Sequence, residues 1–204
     1  MVFFLAQLDI LGQIGLRTIS MKISLSNWLK KRNNTQSFYI RSKYTNIEKL
    51  EKKYPLFISM IDSGVYAYTS RFMIKNMDIN LVKEVIKREF EGDLNYDKGC
   101  LENPEQRLDY CFFTDMDEIV VEVITNSVSL IEAIHRLKLT PPSPQTVFPD
   151  VDFGAIGSLQ GKIEYWWNVY WFPFWSAIDS VEKLNYIDNE KLSEDVIEFI
   201  QLHE

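Results

Sequence analysis

Eleven residues, YWWNVYWFPFW at 165–175, hold eight aromatic side chains and four of the chain's five tryptophans. Buried aromatics dominate core energetics, so such a segment decides what the rest of the chain must cover. On a helix, Ile163, Trp167, Tyr170, Trp171, Phe174 and Ile178 share one face, while Tyr165, Val169 and Phe172 share the opposite one. A helix apolar nearly all round belongs in a core, or between a core and something else. A strand would also be apolar on both faces. The segment's length and the helical pattern after it favour a helix, kinked or restarted at Pro173. A sugar platform or methyl-lysine cage would set its rings beside polar partners, and only Glu164 and Asn168 interleave here. The expectation is an aromatic core helix.

The 204 residues suffice for one domain with a substantial core. From Met21, SLSNWLKKR reads as a short helix and SFYIRS as a strand. Thr45 and Glu48 form a capping-box pattern opening the helix TNIEKLEKKY, which Pro55 closes. LFISMI and VYAYTSRFMI flank the turn Asp62-Ser63-Gly64, a hairpin pattern. Asp78 precedes the periodic helix INLVKEVIKREF, which Gly92 ends. A polar loop, GDLNYDKGCLENPEQ, leads to a second hairpin, RLDYCFFT and EIVVEVIT around Asp115-Met116-Asp117. The helix NSVSLIEAIHRLKL follows, with Ser129 and Glu132 as a second capping-box pattern. Residues 140–157 carry four of the seven prolines and two of the eight glycines, and are expected to be irregular. Beyond them, residues 158–204 read as helical: the aromatic segment, SVEKLNYI, and SEDVIEFIQL capped by Ser193. The fold class is therefore α+β, an antiparallel sheet of two hairpins with helices packed on it and a helical C-terminal part, forming a single domain over 21–204.

Residues 1–20 are apolar at VFFLA but lack a basic leader, are interrupted by Asp9, and carry no A-x-A-like cleavage site. They read as an upstream extension or a short helix, too short and polar to span a membrane. Residues 1–53 carry ten basic against three acidic residues, 54–175 ten against eighteen, and 176–204 two against eight. An acidic body disfavours nucleic acid and favours a basic partner. Cys100 and Cys111 have neither redox nor metal spacing and read as free thiols in a reducing cytoplasm.

With His135 and His203 as the only histidines, zinc sites and histidine triads lack material. His135, on IEAIHRL, reads as a satisfied core or boundary histidine. The DFGAIGSLQG stretch has neither phosphate-loop spacing nor kinase context. No catalytic, cofactor or metal residue is assigned. Asp109, Asp115 and Glu122 could serve a metal-dependent hydrolase or nuclease, the alternative reading. A second alternative is a protein-binding scaffold with the aromatic helix as its docking face.

The run WWNVYWFPFW, followed by EKLNYI and LSEDVIEFI, resembles in overall character the C-terminal part of small bacterial immunity proteins that accompany polymorphic toxins, including those of contact-dependent inhibition systems. The resemblance spans about residues 160–200. It implies a cytoplasmic, non-enzymatic protein that binds one cognate toxin domain, often a basic nuclease, and blocks its active site or substrate surface. Loop carboxylates are the candidate toxin-facing positions: Asp115, Asp117, Glu118, Asp150 and Asp152.

Overall fold

The computed structural model describes residues 38–47, 53–94 and 96–204. The chain divides into Met1–Phe38 and a compact unit, Tyr39–Glu204, which carries the fold. The expectations for residues 1–20 and for the helix SLSNWLKKR lie outside the described residues, as does the centre of the helix expected over TNIEKLEKKY. The residues ahead of that centre are irregular and anchored by one side chain: the Ile47 N–H donates to the Tyr68 hydroxyl (2.7 Å), which donates to the Thr45 carbonyl (3.0 Å). The described part of SFYIRS, residues 38–42, does not form the expected strand. Arg41–Lys43 make a 3-10 turn, and the Tyr39 side chain is buried.

Five strands form one antiparallel sheet in the order β1-β2-β5-β4-β3. They are β1 (Ile58–Ser59), β2 (Tyr68–Ile74), β3 (Lys98–Glu102), β4 (Arg107–Asp115) and β5 (Glu118–Thr125). Both expected hairpins are present. The first is short-paired, Ile58 with Thr69 and Ser59 with Tyr68, because a 3-10 turn at Ile61–Ser63 and left-handed Gly64 (φ 74°) occupy its tip. The second turns tightly through Met116 and Asp117, both at positive φ (53° and 62°), the geometry that matches the twist of a two-residue hairpin.

The segment expected as a polar loop contains β3. Its KGCLE sequence alternates poorly, yet it pairs with β4 from Lys98–Cys111 to Glu102–Arg107. The intervening turn is held by Asn103, whose Oδ1 accepts from Glu105 N (3.0 Å) and Gln106 N (2.8 Å). Gly99 leaves room for the ring of Tyr110, whose hydroxyl stands 2.6 Å from where a Cβ would be. Absence of a side chain thus lets a large aromatic cover the edge strand.

Period-two alternation gives the sheet two different faces. Phe72, Val121 and Phe112 align across β2, β5 and β4 on one face, where the Lys83 ammonium lies 5.1 Å from the Phe112 ring. Helix α1 (Ile79–Phe90) buries Val82, Val85, Ile86 and Phe90 at helical spacing and packs against α2 (Val128–Arg136). Left-handed Glu91 (φ 48°), not Gly92, terminates α1, and Asp78 takes the cap position without a side-chain cap hydrogen bond. The cap of α2 is Ser127, whose hydroxyl accepts from Leu130 N at 3.2 Å; Ser129 already lies inside the helix.

Residues 140–157 are less irregular than expected. They hold a one-turn helix, α3 (Pro144–Val147), and a 3-10 turn at Phe153–Ala155, and Pro141, Pro142, Ser143 and Pro144 are buried. Tyr186 donates to the Pro141 carbonyl (2.9 Å), stapling this segment to the C-terminal helices.

The aromatic segment is a helix in three parts: α4 (Gly161–Trp166), a widened π turn (Trp167–Trp171) and α5 (Phe172–Trp175). The widened turn has a local cause. Pro173 has no N–H for the carbonyl four residues back, and its ring would crowd that turn. Phe172 instead donates to the Trp167 carbonyl, five residues back. Trp166, Trp167, Tyr170, Trp171, Phe174 and Trp175 are all at most 3% exposed. The core role expected from sequence therefore holds, over a wider face than a regular wheel gives, and Pro173 does not turn Phe174 or Trp175 outward. Helix α6 (Ser180–Glu190) opens with a full capping box between Asp179 and Glu182, and α7 (Glu194–His203) follows.

Candidate functional site

The sheet face opposite α1 carries a polar row. Arg71, Glu122, Cys111 and Lys98 are consecutive cross-strand neighbours on β2, β5, β4 and β3. Arg71 is the one charge in the apolar strand YTSRFMI, and the aromatic helix meets it. Arg71 Nη2 donates to the hydroxyls of Tyr170 (2.9 Å) and Tyr165 (3.0 Å). Tyr170 passes a hydrogen bond to Asp115 Oδ2 at 2.5 Å, and Tyr165 reaches the same oxygen at 3.4 Å. Arg71 also lies 3.5 Å from Glu122 and 3.6 Å from Asp115, with its guanidinium 5.1 Å from the Phe113 ring centroid.

Burial raises the Glu122 carboxyl, against the opposing pull of Arg71. Burial likewise pushes the Tyr170 hydroxyl far above its ordinary range, so it stays protonated and remains a donor. The cluster clamps the β4–β5 tip to the aromatic helix, and it engages Asp115 and Glu122 internally.

Two residues further along the same face, Asp109 is 1% exposed. Arg107 grips it with Nε to Oδ2 (2.9 Å) and Nη2 to Oδ1 (3.2 Å), and Tyr39 donates to Oδ2 (2.9 Å) as well as to the Ile124 carbonyl (2.8 Å). Arg107 Nη1 extends to Glu102 at 2.7 Å. The three carboxylates considered for metal chemistry are therefore divided between two arginine-centred clusters. Among the described residues no group of three His, Cys, Asp or Glu side chains could hold a metal ion.

The candidate partner-facing carboxylates fall in two places. Asp115, Asp117 and Glu118 share the β4–β5 tip, but Asp115 is engaged as above, and Glu118 is half-buried, with its carboxyl raised by burial and by Asp117. Asp117 is exposed at the apex. Asp150 and Asp152 are exposed on the loop that packs onto α7, where the Phe153 and Phe199 rings lie 4.9 Å apart. Asp152 and Asp195 both approach Gly154, within 3.5 Å of its would-be Cβ, and form a local acidic pair. Asp117, Asp150 and Asp152 have no ion-pair partner among the described residues. The sequence alone points to no role for Arg71, Arg107 or Tyr39, and it marks Tyr165 and Tyr170 only as members of the aromatic helix. An arginine inside an otherwise apolar strand was the available signal, since such a charge must find partners.

His135 is a satisfied boundary histidine: its Nε2–H donates to the Pro55 carbonyl (2.9 Å) and its ring sits edge-on to Phe57. Burial lowers its pKa, outweighing the Pro55 hydrogen bond. The neutral ring is thus the folded form. Its stabilising contribution is fully present above about pH 6.5, the unfolded value, and is lost as pH falls through the lower folded value. His135→Gln is expected to flatten the decline of the thermal midpoint across this window; an unchanged pH profile would show that another group governs it.

Among the described residues no helix is long and apolar enough to cross a membrane. No family model matches this chain, and neither the curated proteins nor the solved structures include a significant match to it.

Proposed function

We propose that the protein is an immunity-type inhibitor that binds and neutralises a cognate bacterial toxin domain, basic and nuclease-like, without catalysing a reaction. One observation carries this reading. The carboxylates suited to catalysis, Asp109, Asp115 and Glu122, are held by arginines and tyrosines, whereas Asp117, Asp150 and Asp152 stand exposed and without an ion-pair partner among the described residues, on a chain with formal net charge −7. Exposed carboxylates steer a cationic partner and stand where substrate phosphates would. The resemblance of residues 160–200 to immunity proteins supports the same reading.

The test is co-expression with the product of the neighbouring upstream gene, followed by co-purification and a nuclease assay. Binding with loss of toxin activity is the expected result. Replacing Asp117, Asp150 and Asp152 together by lysine should slow association about tenfold or more at low salt. A toxin that neither binds nor loses activity would contradict the reading.

A further inference from the structure

Helices α6 and α7 are joined by residues 191–193, and the Lys183–Glu204 ion pair links the first turn of α6 to the C-terminal end of α7. Their inner sides are well accounted for: Tyr186, Val196, Phe199 and Ile200 enter the core. Their outer side is not. A groove of about 260 Å³ lies between the two helices, lined by the apolar Trp175, Leu184, Ile187, Ile197 and Ile200 together with Lys183 and Glu204. Beside it Val181 and Leu184, one helical turn apart, are 66% and 67% exposed. Single exposed apolar residues are ordinary, but an apolar groove adjoined by two exposed apolar side chains one turn apart is a surface on which a partner can dock.

The charged lining residues Lys183 and Glu204 neutralise each other, so the charge that selects an occupant lies beside the groove on the same two helices. Asp188, one turn beyond Leu184 on α6, and Glu194 and Glu198, three residues before and one after Ile197 on α7, are all exposed. Residues 176–204 carry eight acidic side chains against two lysines, and one of those lysines, Lys183, is paired across the groove's end with its ammonium 5.0 Å from the Trp175 ring. An acidic rim repels anionic lipid headgroups and phosphates. A groove between two helices offers side-chain pockets at helical spacing and no strand edge to extend.

We infer that the α6–α7 groove docks a cationic amphipathic helix of a partner protein, with the partner's apolar stripe over Leu184 and Ile197 and its lysines or arginines against Asp188, Glu194 and Glu198. The inference goes beyond toxin neutralisation and is read without any toxin.

The full chain is titrated with a fluorescein-labelled synthetic helix of about fourteen residues, roughly four turns, carrying leucine along one face and lysine elsewhere. Two controls replace its lysines by glutamate or its leucines by serine. The leucine/lysine helix should bind saturably, each control should bind at least about tenfold more weakly, and affinity should fall as salt is raised from about 50 to about 500 mM. Leu184→Ser, and separately the pair Glu194→Lys and Glu198→Lys, should each weaken binding about tenfold. These positions are exposed, and an unchanged near-ultraviolet circular dichroism spectrum would verify that the variants fold. Three results would overturn the inference: equal binding of the serine-faced helix, which would mean attraction by net charge alone; Leu184→Ser within about twofold of the parent; or a dimer of the parent chain that Leu184→Ser dissociates, which would seat a second copy in the groove. Failure to neutralise a toxin alongside normal helix binding would remove the proposed function and leave this inference standing.

Discussion

Trp171→Ala is expected to lower the unfolding free energy by about 3–5 kcal/mol, a large share of the 5–15 kcal/mol typical of a domain. Trp171 is fully buried and central: its ring lies 5.3 Å from Trp166, 5.4 Å from Trp175, 5.5 Å from Tyr186 and 5.7 Å from Phe174. Truncation removes these contacts and leaves a cavity in a neighbourhood of rigid rings that collapse poorly around it. Trp171→Phe should cost much less, about 1–2 kcal/mol, because it keeps an aromatic plane and reduces volume modestly. Both variants remove an indole N–H that, like the other three of residues 166–175, has no acceptor among the described residues, so relief of its desolvation offsets a similar part of each cost. Urea unfolding followed by far-ultraviolet circular dichroism checks both values. A Trp171→Ala loss below about 1 kcal/mol would mean that the side chain is not part of the core.

The second large effect concerns Arg107 and is asymmetric. Arg107→Ala should cost about 3–5 kcal/mol, because it strips the Asp109 carboxylate, 1% exposed, of its two guanidinium hydrogen bonds while the charge stays buried. Asp109→Ala should cost less, since the Arg107 guanidinium keeps Glu102 at 2.7 Å and reaches some solvent at 13% exposure. Replacing both residues by apolar side chains of similar size should recover part of the loss. A double-mutant cycle on unfolding free energies reads all three terms. Equal costs for the two single variants would show that Asp109 is less desolvated than its surroundings imply.

Legibility in the sequence followed the strength of local periodicity. Helix α1 over Ile79–Phe90 and strand β5 over Glu118–Thr125 were read with their observed ends, because the apolar spacing and the flanking turns agreed there. Strand β3 was invisible because Gly99 and Cys100 give it no apolar face; backbone pairing to β4 and the overlying Tyr110 ring make it a strand. The cap of α2 was misplaced by two residues because Ser127 and Ser129 both offer a hydroxyl, and only the fold shows which one meets Leu130 N. The clusters around Arg71 and Arg107 join residues as far apart as Arg71 and Tyr170 or Tyr39 and Asp109. Such pairings depend on sheet register and on which helix covers which face, and neither is encoded in a local window. The acidic positions were visible as composition, but the distinction between engaged Asp115 and exposed Asp117 required the tyrosine pair on the aromatic helix.

The aromatic segment being core, with Trp175 its one residue lining the α6–α7 groove, is the claim on which the rest depends. Hydrogen exchange of the indole N–H groups in tryptophan-labelled protein, followed by nuclear magnetic resonance, tests it most directly. With Trp166, Trp167, Trp171 and Trp175 at most 3% exposed, their four indole signals should exchange only through opening of the fold and persist long after the solvent is changed to deuterium oxide. Four indole signals that vanish as fast as that of a free tryptophan peptide would contradict the account.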